Sequence, residues 1–406
     1  MAPLAAELEQ RGILARFIAA GYPIGWQKLL ALRLPQSSGV KRFLDRKESI
    51  STKLICSQPL PEVFFKIGDI FFRRYSEYLQ QQLHRIGFYF YSKGCAKAIR
   101  LSKPSIYHFR NCYGMSSVTI AKSTGAIALC DHSIAHPICL SWMERNKGSW
   151  PRKEDFFEIG RNLYPLHRQM KNDLDLAEHV LVNSDFVKET CTYIGMPPDK
   201  IHVVYLGVDD SFFNALSSAP RLALKPNSGS LLYAGGWQRR KGVDDIASAL
   251  MQVSHPWSLD IAGSTEPEIL KSSSMRGFLS DKRVNRLGVI SRTDLAKLMR
   301  KHRVFIFPSY CEGSARVIFE AMAAGCYIIT TKNSGSIVKD GIHGRIVREG
   351  DVNGLVHAIN EAINNPDLVE RIGNENANLV ATDYRQSQYA DRAMNVYKGI
   401  LDSRHL

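Results

Sequence analysis

From Leu231 onward, short apolar runs alternate with segments of helical period, and this alternation constrains the fold more than any other feature of the sequence. The runs LLYAGG, SLDIAG, VFIFPS and YIITTK are predicted to be strands, and GVDDIASALMQV, SRTDLAKLMRKH and SARVIFEAMAAG to be helices. Near-continuous apolar strands with helices between them predict an α/β unit whose parallel sheet is covered on both faces. Ser291 and Gly325 stand where a helix N-cap and a left-handed C-cap are expected.

The first half of the chain repeats this pattern less clearly. Its candidate strands are ILARFIAAG, SIYHFRN, GAIALCDHS, HVLVNS and KIHVVYLGV. Two doubly wound units are therefore predicted, and a length of 406 residues also favours two domains. We expect them to join across residues 211–230, which are rich in Ser, Pro and Ala.

A last helical pattern follows Asp383. It places apolar and aromatic residues on one face, namely Tyr389, Ala393, Val396, Tyr397 and Ile400. Such a face predicts a terminal helix that packs on another element.

The positive charge of the chain is concentrated near its start. The formal net charge is +14, and residues 1–130 contain 19 Lys and Arg against 7 Asp and Glu, a balance of 19 − 7 = +12. A basic face of this kind can meet nucleic acid, anionic lipid or a phosphorylated substrate, and charge alone does not choose among them.

Residues 61–86 form a helical pattern in which aromatic and basic side chains alternate. Phenylalanine and tyrosine at positions 64, 65, 71, 72, 75 and 78 are interleaved with Lys66, Arg73 and Arg74. The pattern fits a core-facing helix with a solvated basic side, and it also fits a helix that lies on an anionic membrane surface. Contact with nucleic acid is less favoured, because no nucleic-acid-binding motif is found in the chain.

The cysteine pattern and the N-terminal sequence indicate the cellular compartment of the protein. Eight cysteines are scattered without a CxxC pair, and no Asn-x-Ser/Thr sequon occurs. No run of about 18 apolar residues appears, and MAPLAAELEQRG has acidic residues where a signal peptide needs basic ones. These features predict a cytoplasmic protein, with peripheral contact at the cytosolic face of the membrane as an added expectation.

Two loops of the second half carry candidate chemistry, because ligands of open parallel sheets bind outside the carboxyl ends of the strands. In GGWQRRKG, Gly235 and Gly236 allow close approach of the backbone to a ligand, and Arg239, Arg240 and Lys241 supply charge. In CEGSARVIFE, the amides of three residues open a helix and can hold phosphate oxygens, namely those of Gly313, Ser314 and Ala315. Two such loops at one crevice suit a diphosphate.

Glu320 follows in the helix of the second loop. Its neighbours Val317, Ile318, Phe319, Ala321 and Met322 are apolar nearly all round, which indicates a buried helix. A carboxylate in such a helix needs a polar partner, and the two hydroxyls of a ribose would be one.

Taken in order, GGWQRRKGV, SLDIAGS, FPSYCEGSARVIFEAMAAG and SGSIVKDGIHGRIVREGD resemble the donor half of glycosyltransferase family 4, whose pattern is a glutamate, seven residues and a second glutamate. The resemblance covers about residues 180–360. It implies a GT-B fold, in which two Rossmann-like domains face each other across a cleft and the second domain holds a nucleotide sugar. The predicted domains are residues 1–208 and 209–383, followed by a helix, residues 384–406, that crosses back to the first domain.

The resemblance also implies roles. Glu320 would bind the ribose, Glu312 would meet hydroxyls of the transferred sugar, and Gly313 with Ser314 would lie against the diphosphate. Arg240 and Lys241 would neutralise the charge on the departing nucleoside diphosphate. Transfer would retain the anomeric configuration. The nucleotide sugar would be a co-substrate, and neither a cofactor nor a metal is expected.

One departure from the family concerns the first loop. The family often has an arginine immediately after the glycine, where this chain has Gly236 or Trp237, so Arg239 or Arg240 would substitute for it.

In the first half, GAIALCDHSIAHP ends a predicted strand with Asp131, His132 and His136. The family often places a histidine after this strand, facing the donor sugar, so His132 is the first candidate and His136 the second. A structural histidine that caps the next helix is the alternative. A metal site is not expected, since no third ligand is in sight. Arg161 is a further candidate for the acceptor side of the cleft.

The start of the chain departs from the family pattern, which opens with a strand and a glycine-containing loop. Here the chain opens with the helical segment APLAAELEQRG, so the first strand of the first domain is expected to be missing. A late start site or a truncated gene would explain this. A stop codon directly before Met1, together with active protein from the present start, would exclude it.

The expected activity is transfer of a sugar from a nucleotide-sugar donor to a lipid-linked or saccharide acceptor, in the synthesis of a surface polysaccharide, a lipopolysaccharide or another glycolipid. The alternative is a degenerate, non-catalytic protein that only binds a nucleotide sugar. An epimerase or a glucan phosphorylase of the same fold is less favoured, because function does not follow from fold alone.

Overall fold

The alternation of apolar runs and helical segments folds into parallel strands with helices between them. The computed structural model describes residues 2–33, 44, 50–72, 75–219 and 229–404. The strands are β1 (Phe17–Ala19), β2 (Ile55–Ser57), β3 (Ile106–Arg110), β4 (Ile127–His132), β5 (His179–Val182), β6 (Ile201–Val203), β7 (Gly229–Ala234), β8 (Trp257–Ala262), β9 (Val284–Gly288), β10 (Val304–Phe307), β11 (Tyr327–Thr331) and β12 (Gly344–Val347).

Helices connect these strands and cover both faces of the sheets. They are α1 (Ala2–Gln10), α2 (Gly25–Arg33), α3 (Leu60–Ile67), α4 (Glu77–Ser102), α5 (Ser116–Ser123), α6 (Pro137–Met143), α7 (Phe156–Arg161), α8 (Pro165–Leu176), α9 (Asp185–Tyr193), α10 (Asp210–Ser217), α11 (Val243–Leu250), α12 (Ser273–Leu279), α13 (Arg292–Lys301), α14 (Arg316–Ala323), α15 (Val352–Asn364), α16 (Pro366–Asp383) and α17 (Gln386–Asp402). Several short 3-10 turns lie between them.

The second half forms one six-stranded sheet in the order β12-β11-β10-β7-β8-β9, with every pair parallel. All four residues of β10 and all five of β11 are buried, as the apolar runs predict. The predicted helix signals are confirmed: the Ser291 hydroxyl accepts a hydrogen bond from the Asp294 amide at 3.1 Å, and Gly325 has a φ of 85°. The carboxyl ends of β7 and β10, which are paired neighbours, therefore meet at one edge.

The first half forms a four-stranded parallel sheet, β3-β4-β5-β6, and a separate parallel pair, β1-β2. The candidate strand ILARFIAAG contributes only Phe17–Ala19, which follows α1 and pairs with β2. Among the described residues, no strand joins β1 to β3.

The predicted GT-B architecture is confirmed by these two parallel-sheet units and by α17, which crosses back to the first. Four of the five predicted residues of α17 are buried, and Val396 packs beside them. Their contacts include Ile127 and Leu129 of β4 and Leu181 of β5.

The chain enters and leaves the second unit at one place. The Val208 amide donates to the Tyr384 carbonyl at 2.8 Å, and the Gln386 amide donates to the Val208 carbonyl at 3.0 Å. The domain limits 1–208, 209–383 and 384–406 stay a prediction. The two places where the chain passes between the units, at Val208 and Tyr384, lie beside these limits. The expected linker, residues 211–230, begins inside α10, and its residues 220–228 lie outside the described part of the chain.

The helical pattern of residues 61–86 is interrupted. It contains α3, a π-helical turn at Gly68–Phe72 and the start of α4, and Arg73 and Arg74 lie outside the described residues. Phe64 packs on Phe90 and Phe65 packs on Phe88, both in α4. These contacts agree with the interpretation of this segment as a helix that faces the core. No helix in the described residues is long and apolar enough to cross a membrane.

Candidate active site

The loop after β10 and the loop after β7 bring one carboxylate and two cations together. Arg240 Nη1 lies 2.9 Å from Glu312 Oε1, and Lys241 Nζ lies 3.5 Å from the same oxygen. The three side chains are only 17–24% exposed, so the charges are partly shielded from water. With Glu144, which lies 3.7 Å from Arg240, the cluster holds two cations and two carboxylates, so the cations are paired within the protein.

Arg240 is held in place by further contacts. Its guanidinium donates to the Cys311 carbonyl and lies 3.7 Å from Glu144 of the first domain. Its own carbonyl accepts from the Tyr310 amide at 2.9 Å. Burial lowers the pKa of the Arg240 guanidinium, but Glu312 and Glu144 outweigh this effect and hold the pKa above its ordinary value.

Gly313 carries the contact between the loop after β10 and the first domain. Its carbonyl accepts a hydrogen bond from the Ser184 hydroxyl, which also caps α9. A Cβ atom at position 313 would lie 1.7 Å from the Ser133 carbonyl oxygen and 2.9 Å from Asn183 Nδ2. Only glycine fits there, so the residue after Glu312 sits directly against the carboxyl ends of β4 and β5.

The three amides predicted to hold phosphate oxygens differ in availability. The Ala315 amide donates to the Ser334 carbonyl at 3.0 Å, so in this structure it is not free for a ligand, contrary to the prediction. Among the described residues, the amides of Gly313 and Ser314 have no protein acceptor, and the buried Ser314 hydroxyl has no hydrogen-bond partner. Buried polar groups without partners cost free energy, so Gly313 and Ser314 offer places for ligand oxygens.

The first loop separates its arginines. Gly235 has a φ of 138°, and a Cβ atom there would lie 3.4 Å from Lys241 Nζ, so glycine leaves room beside the cation. The Gly236 carbonyl accepts from the Tyr233 hydroxyl at 2.7 Å. Arg239 points elsewhere, because its side chain is 64% exposed and lies 3.7 Å from Asp244. Of the two candidates to replace the family arginine, Arg240 is the one beside Glu312.

Glu320 has a polar partner that sequence reasoning missed. Its Oε1 accepts from Arg292 Nη2 at 2.6 Å, and Arg292 also pairs with Asp209. Burial raises the pKa of Glu320, and the charge of Arg292 opposes that rise. The only sequence signal was an arginine directly after the N-cap Ser291, which does not identify the residue that it pairs with.

His132 lies at the end of β4 and is 1% exposed. Its Nδ1 lies 2.8 Å from Asn111 Nδ2, an amide donor, so the neutral ring carries its proton on Nε2. That buried Nε2 has no hydrogen bond of ordinary geometry among the described residues, although the Ala135 backbone interacts with the ring and opposes the lowering of its pKa by burial. Asn111, which follows β3 directly, was not among the predicted site residues. Its position, a polar residue at the carboxyl end of a strand, was a signal that could have identified it.

The remaining first-domain candidates lie differently. His136 caps α6, since its Nδ1 accepts a hydrogen bond from the Ile138 amide at 3.3 Å. This is the structural alternative to a role in binding the donor sugar. Asp131 alternates with His132 along β4. Burial raises the pKa of Tyr389 and Tyr397 of α17 and the Asp131 carboxylate adds to that rise, so this carboxylate lies on the face that α17 covers.

Arg161 ends α7 and lies in an exposed position. Its guanidinium stands 5.8 Å from the ring centre of Phe157. The structure does not bring it to Glu312. In the part of the chain that the structure describes, no group of three or more His, Cys, Asp or Glu side chains is placed to hold a metal ion.

The burial of His132 predicts a loss of stability in acid. Burial lowers its pKa to about 4, while a histidine in the unfolded chain has a pKa near ~6.5. Between these values only the unfolded chain binds the proton, so the stabilising effect is complete above about pH 6.5 and is lost as the pH falls toward 4. The loss reaches about 2 kcal/mol at pH 5 for this one residue.

Urea unfolding at pH 7 and pH 5 measures this effect. His132→Gln should lose less unfolding free energy between the two pH values than the wild type, whereas His357→Gln, at an exposed position of α15, should lose as much as the wild type. An equal loss in His132→Gln and the wild type would contradict the assignment.

Sequence relatives and solved structures are similar to this chain over most of its length. An uncharacterised glycosyltransferase of Methanocaldococcus jannaschii is 24% identical over 72% of this chain and 81% of its own length. An MMP alpha-(1->4)-mannosyltransferase of Mycolicibacterium hassiacum is 24% identical over 72% of this chain and 70% of its own. A glycosyltransferase structure from Rickettsia africae has a TM-score of 0.65 at 16% identity and covers 98% of this chain and 93% of its own.

Two family patterns divide the chain at the place where its two sheets divide. The pattern described as Glycosyl transferases group 1 matches residues 228–365, which hold Arg240, Glu312 and Glu320. The pattern described as Glycosyltransferase Family 4 matches residues 4–212, more than half of the chain. With this match over the first domain, and with the two glutamates eight positions apart in the second, the chain belongs to glycosyltransferase family 4.

Proposed function

We propose that this glycosyltransferase moves a sugar from a nucleotide-sugar donor to a saccharide or lipid-linked acceptor and retains the anomeric configuration. The observation that carries the proposal is the cluster of Glu312, Arg240 and Lys241 at the edge where both domains meet. A solved structure of HepE from Anabaena, which contains UDP and glucose, has the same fold, with a TM-score of 0.54 at 14% identity over 75% of this chain and 81% of its own.

The two cations would stabilise the leaving group. When the bond between sugar and phosphate breaks, negative charge collects on the nucleoside diphosphate, and fixed positive charges lower the energy of that state. Arg240 and Lys241 are fixed by Glu312 before any ligand binds, so they need little rearrangement. Because these cations can balance the charge, no metal ion and no cofactor are part of the proposal.

The donor would bind to the groups of the protein that lack hydrogen-bond partners. The Gly313 and Ser314 amides would face the diphosphate, and the Glu320–Arg292 pair would meet the ribose from the neighbouring helix. On the first domain, His132 would offer its Nε2 proton to a hydroxyl of the transferred sugar. The Ser133 carbonyl, next in the chain, already lies against Gly313, so the backbone beside His132 is close to the same loop.

Glu312→Gln should abolish nearly all turnover while nucleotide binding persists. The substitution keeps the shape but removes the charge that aligns Arg240 and Lys241, and loss of such a transition-state group typically costs about 100-fold or more in kcat. Release of nucleoside diphosphate from a panel of nucleotide sugars measures it. Glu375→Gln, at an exposed position of α16 that pairs with Arg371, is the matched control and should remain active.

The same experiment separates the alternative function. Unchanged turnover in Glu312→Gln would contradict the catalytic proposal. Calorimetric binding of a nucleotide without turnover by the wild type would favour a degenerate binding protein, an alternative for which the divided first sheet gives some support.

We further propose that α3 and the π-helical turn touch an anionic membrane from the cytosolic side, where a lipid-linked acceptor would be presented. Exposed apolar side chains gather there: Val63 is 50% exposed, Ile70 70%, Phe71 60% and Tyr75 87%. Lys66, in the last turn of α3, is also exposed. Apolar side chains that enter the interface beside cations that attract lipid headgroups are the two components of peripheral binding.

Flotation with vesicles of phosphatidylcholine, with and without phosphatidylserine, tests this contact. Ile70→Ser combined with Phe71→Ser should reduce binding about tenfold or more, since burying each large apolar side chain contributes about 1.5–3 kcal/mol. Val289→Ser, at an 80% exposed position in the second domain, should bind like the wild type. Equal flotation of the double variant and the wild type, or no preference for the anionic vesicles, would contradict the proposal.

A further inference from the structure

Glu144 is a carboxylate of the first domain that reaches the charged cluster of the second. It follows α6 directly, and its Oε1 lies 3.7 Å from Arg240 Nε. Nη1 of the same guanidinium lies 2.9 Å from Glu312, so one arginine stands between a carboxylate of each domain. The side chain of Glu144 is 37% exposed and that of Glu312 is 17% exposed. Glu144 is therefore the more accessible of the two carboxylates.

The segment after Glu144 is fixed against the second domain. The Gly148 carbonyl accepts a hydrogen bond from Asn333 Nδ2 at 2.9 Å, and the Asn333 carbonyl accepts from the Glu312 amide at the same distance. A Cβ atom at position 148 would lie 2.8 Å from the Tyr310 carbonyl oxygen. The position of Glu144 beside the cluster thus does not depend on one ion pair.

The surroundings of Glu144 disfavour its negative charge. The residue stands at the C-terminal end of α6, where the helix dipole opposes a carboxylate. Burial raises the pKa of its carboxyl group, and the charges of Glu77 and Glu312 raise it further. Arg240 and Arg145 oppose this rise without cancelling it. A carboxyl group whose pKa is raised toward neutrality, at a junction between two domains, is suited to accept a proton.

Glu77 connects this place to the surface that we propose to touch the membrane. It is the first residue of α4, directly after the π-helical turn and Ser76, whose amide donates to the Phe72 carbonyl at 2.9 Å. Its carboxylate is near enough to raise the pKa of Glu144. An acceptor presented at that surface would therefore enter on the Glu144 side of Arg240.

The signs of the charges favour a different chemical group on each side. Arg240 and Lys241 suit the anionic diphosphate of the donor, whereas the carboxylates of Glu144 and Glu77 repel an anion. A neutral hydroxyl can donate a hydrogen bond to a carboxylate, which only accepts. The group that fits beside Glu144 is thus a saccharide hydroxyl and not a phosphate.

We propose that Glu144 binds the attacking hydroxyl of a neutral saccharide acceptor and takes its proton, an inference that rests on the proposed sugar transfer. The O–H bond of the hydroxyl breaks, and its proton moves to the Glu144 carboxylate. The hydroxyl oxygen forms a bond to the anomeric carbon. The bond from that carbon to the diphosphate breaks, and its electron pair leaves on the diphosphate, beside Arg240 and Lys241. Water then takes the proton from Glu144.

The position of Glu144 agrees with retention of the anomeric configuration. Retention in a single step requires the hydroxyl to approach on the side from which the diphosphate departs. Glu144 and the cations proposed to hold the diphosphate meet at the guanidinium of Arg240, so the group that takes the proton and the leaving group share one side.

The test measures release of nucleoside diphosphate from the panel of nucleotide sugars, with octyl glucoside and with water as acceptors. Glu144→Gln keeps the shape of the side chain but takes no proton, so kcat should fall about 100-fold or more. Wild-type kcat should fall in acid, about tenfold per pH unit below the pKa of Glu144, as the carboxylate is protonated. This acid decrease should persist in Glu144→Asp and be absent in Glu144→Gln.

Two controls separate this role from a structural one. Glu154→Gln, which removes a first-domain carboxylate 3.1 Å from Arg152, should turn over like the wild type. In calorimetric titration with UDP, GDP and ADP, Glu144→Gln should bind at least as tightly as the wild type, because a carboxylate that competes for Arg240 is gone.

Three results would contradict the account in different ways. Binding about tenfold weaker in Glu144→Gln would mean that Glu144 only holds Arg240 in place, and it would overturn the proposal. Undiminished turnover in Glu144→Gln would also overturn it, because an oxygen of the leaving diphosphate would then take the proton. Absence of turnover by the wild type with every donor would contradict the proposed sugar transfer itself, and this step with it.

Discussion

The packing of the Gly313 backbone against the first domain is the contact on which the crevice depends. Because no side chain fits between residue 313 and the Ser133 carbonyl, the loop after β10 approaches β4 and β5 as closely as backbone allows. The Ser184 hydroxyl ties that loop to the start of α9. Glu312, one residue earlier, is thereby set beside the cations of the second domain, and His132 is one residue from the contact on the other side.

Both glutamates of the family pattern are paired with arginine, yet their surroundings differ. Glu312 shares Arg240 and Lys241 at a partly exposed position, where 17% of its side chain is exposed. Glu320 is deeper, at 8% side-chain exposure, and Arg292 links it to Asp209 at the junction between the two domains. Losing Arg292 would leave a buried carboxylate without its cation, a change that is strongly destabilising. The spacing of eight positions thus places one glutamate in a partly exposed cluster of charges and the other in a more deeply buried ion pair.

Much of this arrangement could be predicted from the sequence, because apolar runs and helix signals are local. The alternation of strands and helices along the second half, a packed helix at the end of the chain and the meeting of the loops that carry Glu312 and Lys241 followed from such signals. Partners distant in sequence could not be predicted: Arg292 reaches Glu320 over 28 positions, and Asn111 reaches His132 over 21. Sequence alone also did not show whether Arg239 or Arg240 faces Glu312. That is decided by the 3-10 turn at Arg239–Lys241, in which adjacent side chains point to different sides.

The central claim is that Arg240 and Lys241 hold the diphosphate of the donor, and calorimetric titration with a panel of nucleoside diphosphates tests it most directly. Replacing both residues by glutamine should weaken binding about 100-fold, about tenfold for each charge-assisted contact that is lost. Arg239→Gln, in the same turn but facing Asp244, should bind like the wild type. Equal affinity of the double variant and the wild type, or an equal loss in Arg239→Gln, would contradict the claim.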